Sequence, residues 1–234
     1  MPVPEKPFAQ LISLLVFSII LCGACQLFSP RPSEERLYLP GLESVVVIGF
    51  QAAMSEWDEP RAVRSPITGA VFSAAPVPAE AVNKMTAKLF EGVQKEGDYE
   101  LISPGQARGV YSSLISSDAE RTELGVFQQI GQTFSADAVL VGYLYRWRER
   151  VGGDLAADRS ASVAFDLSLI RPEDGAILWR GKFDKTQQAL SENLLEWDTF
   201  VRGQGRWMTA EKLAELGLED MLSRMPIGRS KEKE

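Results

Sequence analysis

The side chains able to do chemistry are few and narrow in type. The chain has no histidine, which removes Ser-His-Asp and Cys-His catalysis and histidine-ligated metal sites. Its cysteines, Cys22 and Cys25, stand in a Cys-x-x-Cys spacing. They close an apolar N-terminal run, a setting that argues against a redox or metal role and suits acylation of a thiol instead. Carboxylates lie close together at Asp58 and Glu59, at Glu120 and Glu123, and at Glu219 and Asp220. The last two pairs read as helix surface. Asp58 and Glu59 fall in a long loop where they could pair with Arg61 or Arg64, and a glycosidase built on them has no further support. Gly203-Gln-Gly205 lacks the strand, helix and third glycine of a dinucleotide site and reads as a turn. The one Ser-x-x-Lys match, Ser230 with Lys233, sits in a charged tail. No catalytic, cofactor-binding or metal-binding residue is therefore assigned, no cofactor is expected, and the chain is read as a non-enzyme.

The acylation reading rests on what precedes Cys25. A short polar start with Lys6 is followed by the uncharged run Leu11–Leu21 and then by Gly23-Ala24-Cys25. A charged region, an apolar region and small residues before a cleavage point make a secretory signal. The run is shorter than the about 20 residues that a bilayer-spanning helix needs, and no cluster of Lys or Arg follows it. Cys25 resembles the lipidated cysteine of bacterial lipoproteins. Cys22 stands where that motif usually has Leu, and the alternative is a plain signal peptide cut near Ala24. The resemblance implies lipidation of Cys25, palmitate among the acyl groups. Because Gln26 replaces the Asp that retains such proteins at the inner membrane, it also implies the periplasmic face of the outer membrane. Cleavage before Cys25 would leave no second thiol for a disulfide, so the folded part must rely on its core.

These residues divide the chain into a signal peptide (1–24), a lipidated cysteine with a proline-bearing tether (25–43), a periplasmic domain (44–226) and a charged tail (227–234). The net charge of -7 and the absence of a basic, aromatic-rich patch argue against nucleic acid as a partner.

Within the domain, Val45–Phe50 reads as a buried strand. A helix opens at Pro78 with Val82, Met85, Leu89 and Val93 on one face. Tyr99–Ser103 reads as a short strand, Gln106–Ile115 as a helix, and a third helix, capped near Ser117 or Asp118, runs to Phe134 with Leu124, Phe127, Ile130 and Phe134 inward. Ala138–Trp147 and Ser162–Ile170 are the clearest strands. The second sends Val163, Phe165, Leu167 and Leu169 one way and Ala164, Asp166 and Ser168 the other. Val151–Ser160 reads as a flexible connection. A turn at Pro172–Gly175 leads to a strand with Ile177, Trp179 and Phe183 on one face. A helix is expected over Gln187–Leu195 and a last one over Ala210–Arg224, capped by Thr209. Gln51–Pro78 has four prolines and no periodicity. It is either a functional loop or a strap whose Trp57, Ile67, Val71 and Phe72 cover the core edge. Of the tryptophans, Trp147 and Trp179 read as core or sheet face, and Trp57, Trp197 and Trp207 as caps over the core.

The order of elements implies an α+β fold, a mostly antiparallel sheet flanked by helices in three layers. Three passages carry a resemblance: Val45-Val-Val-Ile-Gly-Phe50, Ser135-Ala-Asp-Ala-Val-Leu-Val-Gly142, and the hairpin Asp166-Leu-Ser-Leu-Ile170 with Asp174-Gly-Ala-Ile-Leu-Trp-Arg-Gly181. Over about Glu43–Met225 the chain is similar to the periplasmic lipoproteins of the CsgG and LpoB type and to the N-terminal domain of TolB. The LpoB likeness implies a membrane-anchored module that binds another envelope protein or itself. The CsgG likeness implies a component of an outer-membrane secretion channel. The only segment long enough to supply that channel's membrane hairpin is Gln51–Pro78, which lacks the required alternation.

Overall fold

A computed structural model describes residues 36–96, 99–117, 122–153, 157–187 and 207–228. The chain divides into two units, Met1–Glu35 and Arg36–Glu234, and every described residue lies in the second. The signal peptide, Cys25, Asp118, Glu120, the helix expected over Gln187–Leu195, Trp197, Gly203, Gly205, Ser230 and Lys233 lie outside the described residues, except for Gln187 itself.

The strands are β1 (Ser44–Ala52), β2 (Arg61–Arg64), β3 (Val71–Ala74), β4 (Glu100–Ile102), β5 (Ala138–Arg148), β6 (Val151–Gly152), β7 (Ala157–Arg159), β8 (Ser162–Ile170) and β9 (Ile177–Thr186). The helices are α1 (Ala79–Glu96), α2 (Pro104–Ser117), α3 (Glu123–Thr133) and α4 (Ala210–Leu222). Five strands form the main sheet in the order β4-β1-β5-β8-β9. β1 pairs parallel with β4 and β5, and β8 pairs antiparallel with β5 and β9. The hairpin β2–β3 and the small ribbon β6–β7 are also antiparallel.

Alternation along the strands builds two cores. Val45, Val47, Leu140, Leu144, Phe165, Leu167 and Leu169 meet α1 through Met85, Leu89 and Val93, and α4 through Leu213, Leu218 and Met221. Val46, Val139, Val141, Tyr143 and Tyr145 face the other way, onto Ala107 of α2, Phe127 and Ile130 of α3, and Phe72 and Ala74 of β3. The result is the three-layer α+β arrangement expected from the sequence, with both faces of β8 buried. Each of these large side chains contributes on the order of 1.5–3 kcal/mol by leaving water.

Close approach of α1 to the sheet depends on Gly49. Its φ of 92° sits at a bulge between Val47 and Gly49, and a Cβ there would lie 2.4 Å from Thr86 Cγ2. Glycine adopts that conformation without strain. Thr86 Oγ1 accepts the Phe50 N–H at 2.9 Å, which ties helix to strand.

Several boundaries differ from the sequence reading for local reasons. α2 starts at Pro104, earlier than Gln106, because Ser103 and Gln106 form a capping box: Gln106 Oε1 accepts from the Ser103 N–H and hydroxyl at 3.0 and 2.8 Å. Thr122, not Ser117 or Asp118, caps α3 by accepting the Gly125 N–H at 3.2 Å. Thr209 caps α4 as expected. The connection after β5 is not wholly irregular, since it holds β6 and β7. A register shift between Leu169 and Ile170 places Leu178, Trp179 and Phe183 against the core, so Ile177 is exposed rather than inward.

The start of the domain also differs. Arg36, Leu37, Tyr38 and Leu39, assigned to the tether, are bound to the folded unit. Arg36 donates to Ser223 O at 2.7 Å, Leu222 O at 2.8 Å and Glu96 O at 3.1 Å, and pairs with the Glu96 carboxylate at 2.7 Å. One guanidinium thus satisfies carbonyls at the C-terminal ends of both α1 and α4, where a cation is favoured. Tyr38 bridges to Ile227, with Leu39 N–H donating to Ile227 O at 3.0 Å.

Candidate functional site

The 53–78 segment leaves the end of β1 and returns to α1. It is neither a free loop nor a membrane hairpin: β2 and β3 span four residues each, against the about 9–11 that a transmembrane strand requires. Backbone bonds fix its two ends to β5, Ala53 N–H to Leu144 O at 3.0 Å and Ala75 N–H to Tyr145 O at 2.9 Å.

A bulge between Leu144 and Arg146 supplies the surface on which the segment sits. Tyr145 is fully buried and stacks on Phe72 with ring centroids 3.8 Å apart and planes at 6°. Lys182 Nζ lies 4.5 Å from the centroid of the same Phe72 ring, within reach of a cation–π attraction. Arg146 is buried beside it. Its guanidinium donates to Ser162 Oγ at 2.7 Å and to Ser73 O at 2.6 Å, and pairs with Asp184 at 2.5 Å.

Asp166 is the second polar root. It is 3 % exposed, in the middle of β8. Its carboxylate accepts the Tyr145 hydroxyl at 3.1 Å and the Thr68 hydroxyl at 3.4 Å, and it also hydrogen-bonds to Ser65. Burial pushes its carboxyl above the ordinary range, and those hydroxyls only partly oppose the shift. Burial and Asp166 likewise hold the Tyr145 phenol in its neutral form. Nearby, burial and the Glu123 carboxylate, which accepts its hydroxyl, keep Tyr143 neutral. Asp166, Tyr145 and Tyr143 are buried, and their hydrogen bonds end on the 53–78 segment and on Glu123 of α3. The arrangement ties the 53–78 segment and α3 to the sheet. Among the described residues no cluster of three His, Cys, Asp or Glu is placed to hold a metal, and no helix is long and apolar enough to cross a membrane.

What the platform carries outward is Trp57. The turn is closed by Asp58 N–H to Ser55 O at 3.3 Å, Ser55 N–H to Asp58 Oδ2 at 2.8 Å and Trp57 N–H to Ser55 Oγ at 3.2 Å. Met54 is buried beneath it. Glu56 Oε1 accepts the Ala79 N–H at 2.7 Å, so the turn is seated on the N-terminus of α1. The indole is 92 % exposed.

Of the residues expected to strap the core edge, Phe72 is buried and Ile67 packs against the core, whereas Trp57 and Val71 face solvent. Trp147 and Trp179 pack on the core as read from the sequence, and Trp207 is half-buried. Asp58 binds its own turn and Arg64 donates to Gly69 O, so neither forms the ion pair considered from the sequence. Asp220 pairs with Arg224 on the helix surface, and Glu123 differs from that reading by accepting from Tyr143. The buried roles of Asp166 and Arg146 were not recognised from sequence. The available signal is a charge set between apolar neighbours in each strand, Arg146 between Tyr145 and Trp147 and Asp166 between Phe165 and Leu167.

No family model matches this chain, and no curated protein does. Solved structures similar to it do exist. They include the PelC dodecamer from Paraburkholderia phytofirmans, at 14% identity and a TM-score of 0.43 over 83% of this chain and 95% of that one. Lipoprotein GNA1162 from Neisseria meningitidis is similar at 14% identity and a TM-score of 0.42, over 69% of this chain and 96% of that one. The LpoB C-terminal domain from Salmonella enterica is similar at 14% identity and a TM-score of 0.37, over 64% of this chain and 86% of that one. The LpoB type named from the sequence is thus among the structures this chain is similar to, and the likeness is one of fold.

Proposed function

We propose that this protein is a lipid-anchored module of the bacterial cell envelope, acylated at Cys25 and held on the periplasmic face of the outer membrane, which binds another envelope protein. The observation that supports the reading is Trp57, 92 % exposed on a turn bound to the fold, at the opposite end of α1 from Arg36. Arg36, where the folded unit begins, binds Glu96 at one end of the helix, and Glu56, beside Trp57, binds Ala79 at the other. A helix of 18 residues is about 27 Å long.

The test uses intact cells. The native chain should stay with membranes through an alkaline wash, and Cys25→Ala should move to the soluble periplasm. Lysine-reactive crosslinking of the anchored form, read by mass spectrometry, should trap a discrete envelope protein. Retention of Cys25→Ala in washed membranes would overturn the anchor. Adducts with random neighbours only would overturn the binding role.

A further inference from the structure

We propose that Trp57 is the anchor residue of the partner interface, inserting into an apolar pocket that lysine or arginine rims on a protein of the cell envelope. The proposal rests on the reading of this chain as an interaction module and adds the surface and the partner's chemistry.

Three observations combine. First, Trp57 is 92 % exposed although its backbone is fixed from three sides, by the Ser55–Asp58 turn, by buried Met54 and by the Glu56 bond to α1. An indole on a rigid turn loses little conformational freedom on binding, and such aromatics dominate interface energetics. Second, the turn is acidic, with Glu56, Asp58 and Glu59 surrounding the indole in sequence. That charge favours a cationic rim and disfavours an anionic lipid surface. Third, two of these three carboxylates already accept a backbone N–H, Glu56 from Ala79 and Asp58 from Ser55, which leaves Glu59 alone to bind sugar hydroxyls. This leaves Trp57 as a knob for a protein pocket rather than the floor of a glycan site. A second copy of this chain is a poor fit at the cleft of about 650 Å³ between α1 and α4, where Glu91, Glu96, Glu215, Glu219 and Asp220 outnumber Lys88 and Lys95.

The test places a photo-crosslinking residue, benzoylphenylalanine, at position 57 of the full-length chain in cells, and separately at Val151, which is exposed on β6. Position 57 should give one protein adduct whose crosslinked peptide is apolar and carries Lys or Arg, and Glu59→Lys in the same chain should reduce its yield at least about 5-fold. With that partner purified, Trp57→Ala should weaken binding about 30-fold or more, the size of a hot-spot residue. Adducts from position 57 to this chain itself, to lipid or to glycan would overturn the proposal, as would an affinity loss under about 3-fold. An adduct from Val151 with none from position 57 would overturn the role of Trp57 and leave the interaction module standing. Adducts from neither position would overturn both.

Discussion

Phe72 stacks face to face on Tyr145, with centroids 3.8 Å apart. One ring belongs to the 53–78 segment and the other to the bulge of β5, so the contact joins the irregular part of the chain to the sheet. Phe72→Ala should lower the unfolding free energy by about 3–5 kcal/mol, the usual loss for a buried phenylalanine. Trp57→Ala, in the same segment, should change it by less than about 0.5 kcal/mol. Urea unfolding of the two purified variants checks the contrast, and equal effects would contradict the assigned burial.

Asp166 makes stability pH-dependent in an unusual direction. Its carboxyl is raised above the ordinary 3.8 in the folded protein. The unfolded chain therefore releases this proton at lower pH than the folded one. The group's contribution is most favourable below 3.8, and it declines as pH rises through the folded value. Asp166→Asn keeps an acceptor for the hydroxyls without the buried charge. It should be at least as stable as the native protein at pH 7, with an advantage that disappears in acid. Asp166→Ala strands those hydroxyls and should lose about 1–3 kcal/mol. Urea midpoints between pH 3 and 7 decide it.

Asp137 acts with the opposite sign. Burial pushes its carboxyl up, but bonds from the Ser44 hydroxyl and the Ser44 and Glu43 N–H groups prevail and hold it below the ordinary range. Its contribution is present above the unfolded value of 3.8 and is lost as pH falls through the folded one. Asp137→Ala should lose about 0.5–1.5 kcal/mol at pH 7, because the Glu43 and Ser44 donors at the start of β1 exchange a charged acceptor for water. The loss should shrink in acid, measured by the same titration.

Arg146 locks the segment through Ser73 O and Asp184. Its removal should lose about 2–3 kcal/mol, under the 3–5 of a fully buried pair because Asp184 is partly exposed. The specific readout is proteolysis. Arg146→Ala should speed tryptic cleavage after Arg61 and Arg64 several-fold, and unchanged cleavage would separate Arg146 from the segment's rigidity.

The periodic elements were legible because burial leaves a repeat in the sequence. Met85, Leu89 and Val93 declared the inner face of α1, and Phe165 and Leu167 declared one face of β8. The 53–78 segment was not legible, because its order comes from contacts with residues about 70–100 positions away. Nothing near Phe72 announces Tyr145, and nothing near Thr68 announces Asp166. Trp57 shows the limit most clearly. A tryptophan in a loop reads as a cap over the core, and only the turn bonds of Ser55 and Asp58, which hold the ring out in solvent, show otherwise. Arg36 shows the same limit, since its bonds to Glu96 and Leu222 draw into the fold a stretch whose prolines read as tether.

Metabolic labelling with an alkyne-tagged palmitate tests the central claim most directly, because anchorage at Cys25 underlies the reading of this chain as a lipid-anchored envelope module. Label on the native chain, none on Cys25→Ala, and full label on Cys22→Ala is the predicted result. Label persisting on Cys25→Ala, or absent from the native chain, would contradict it.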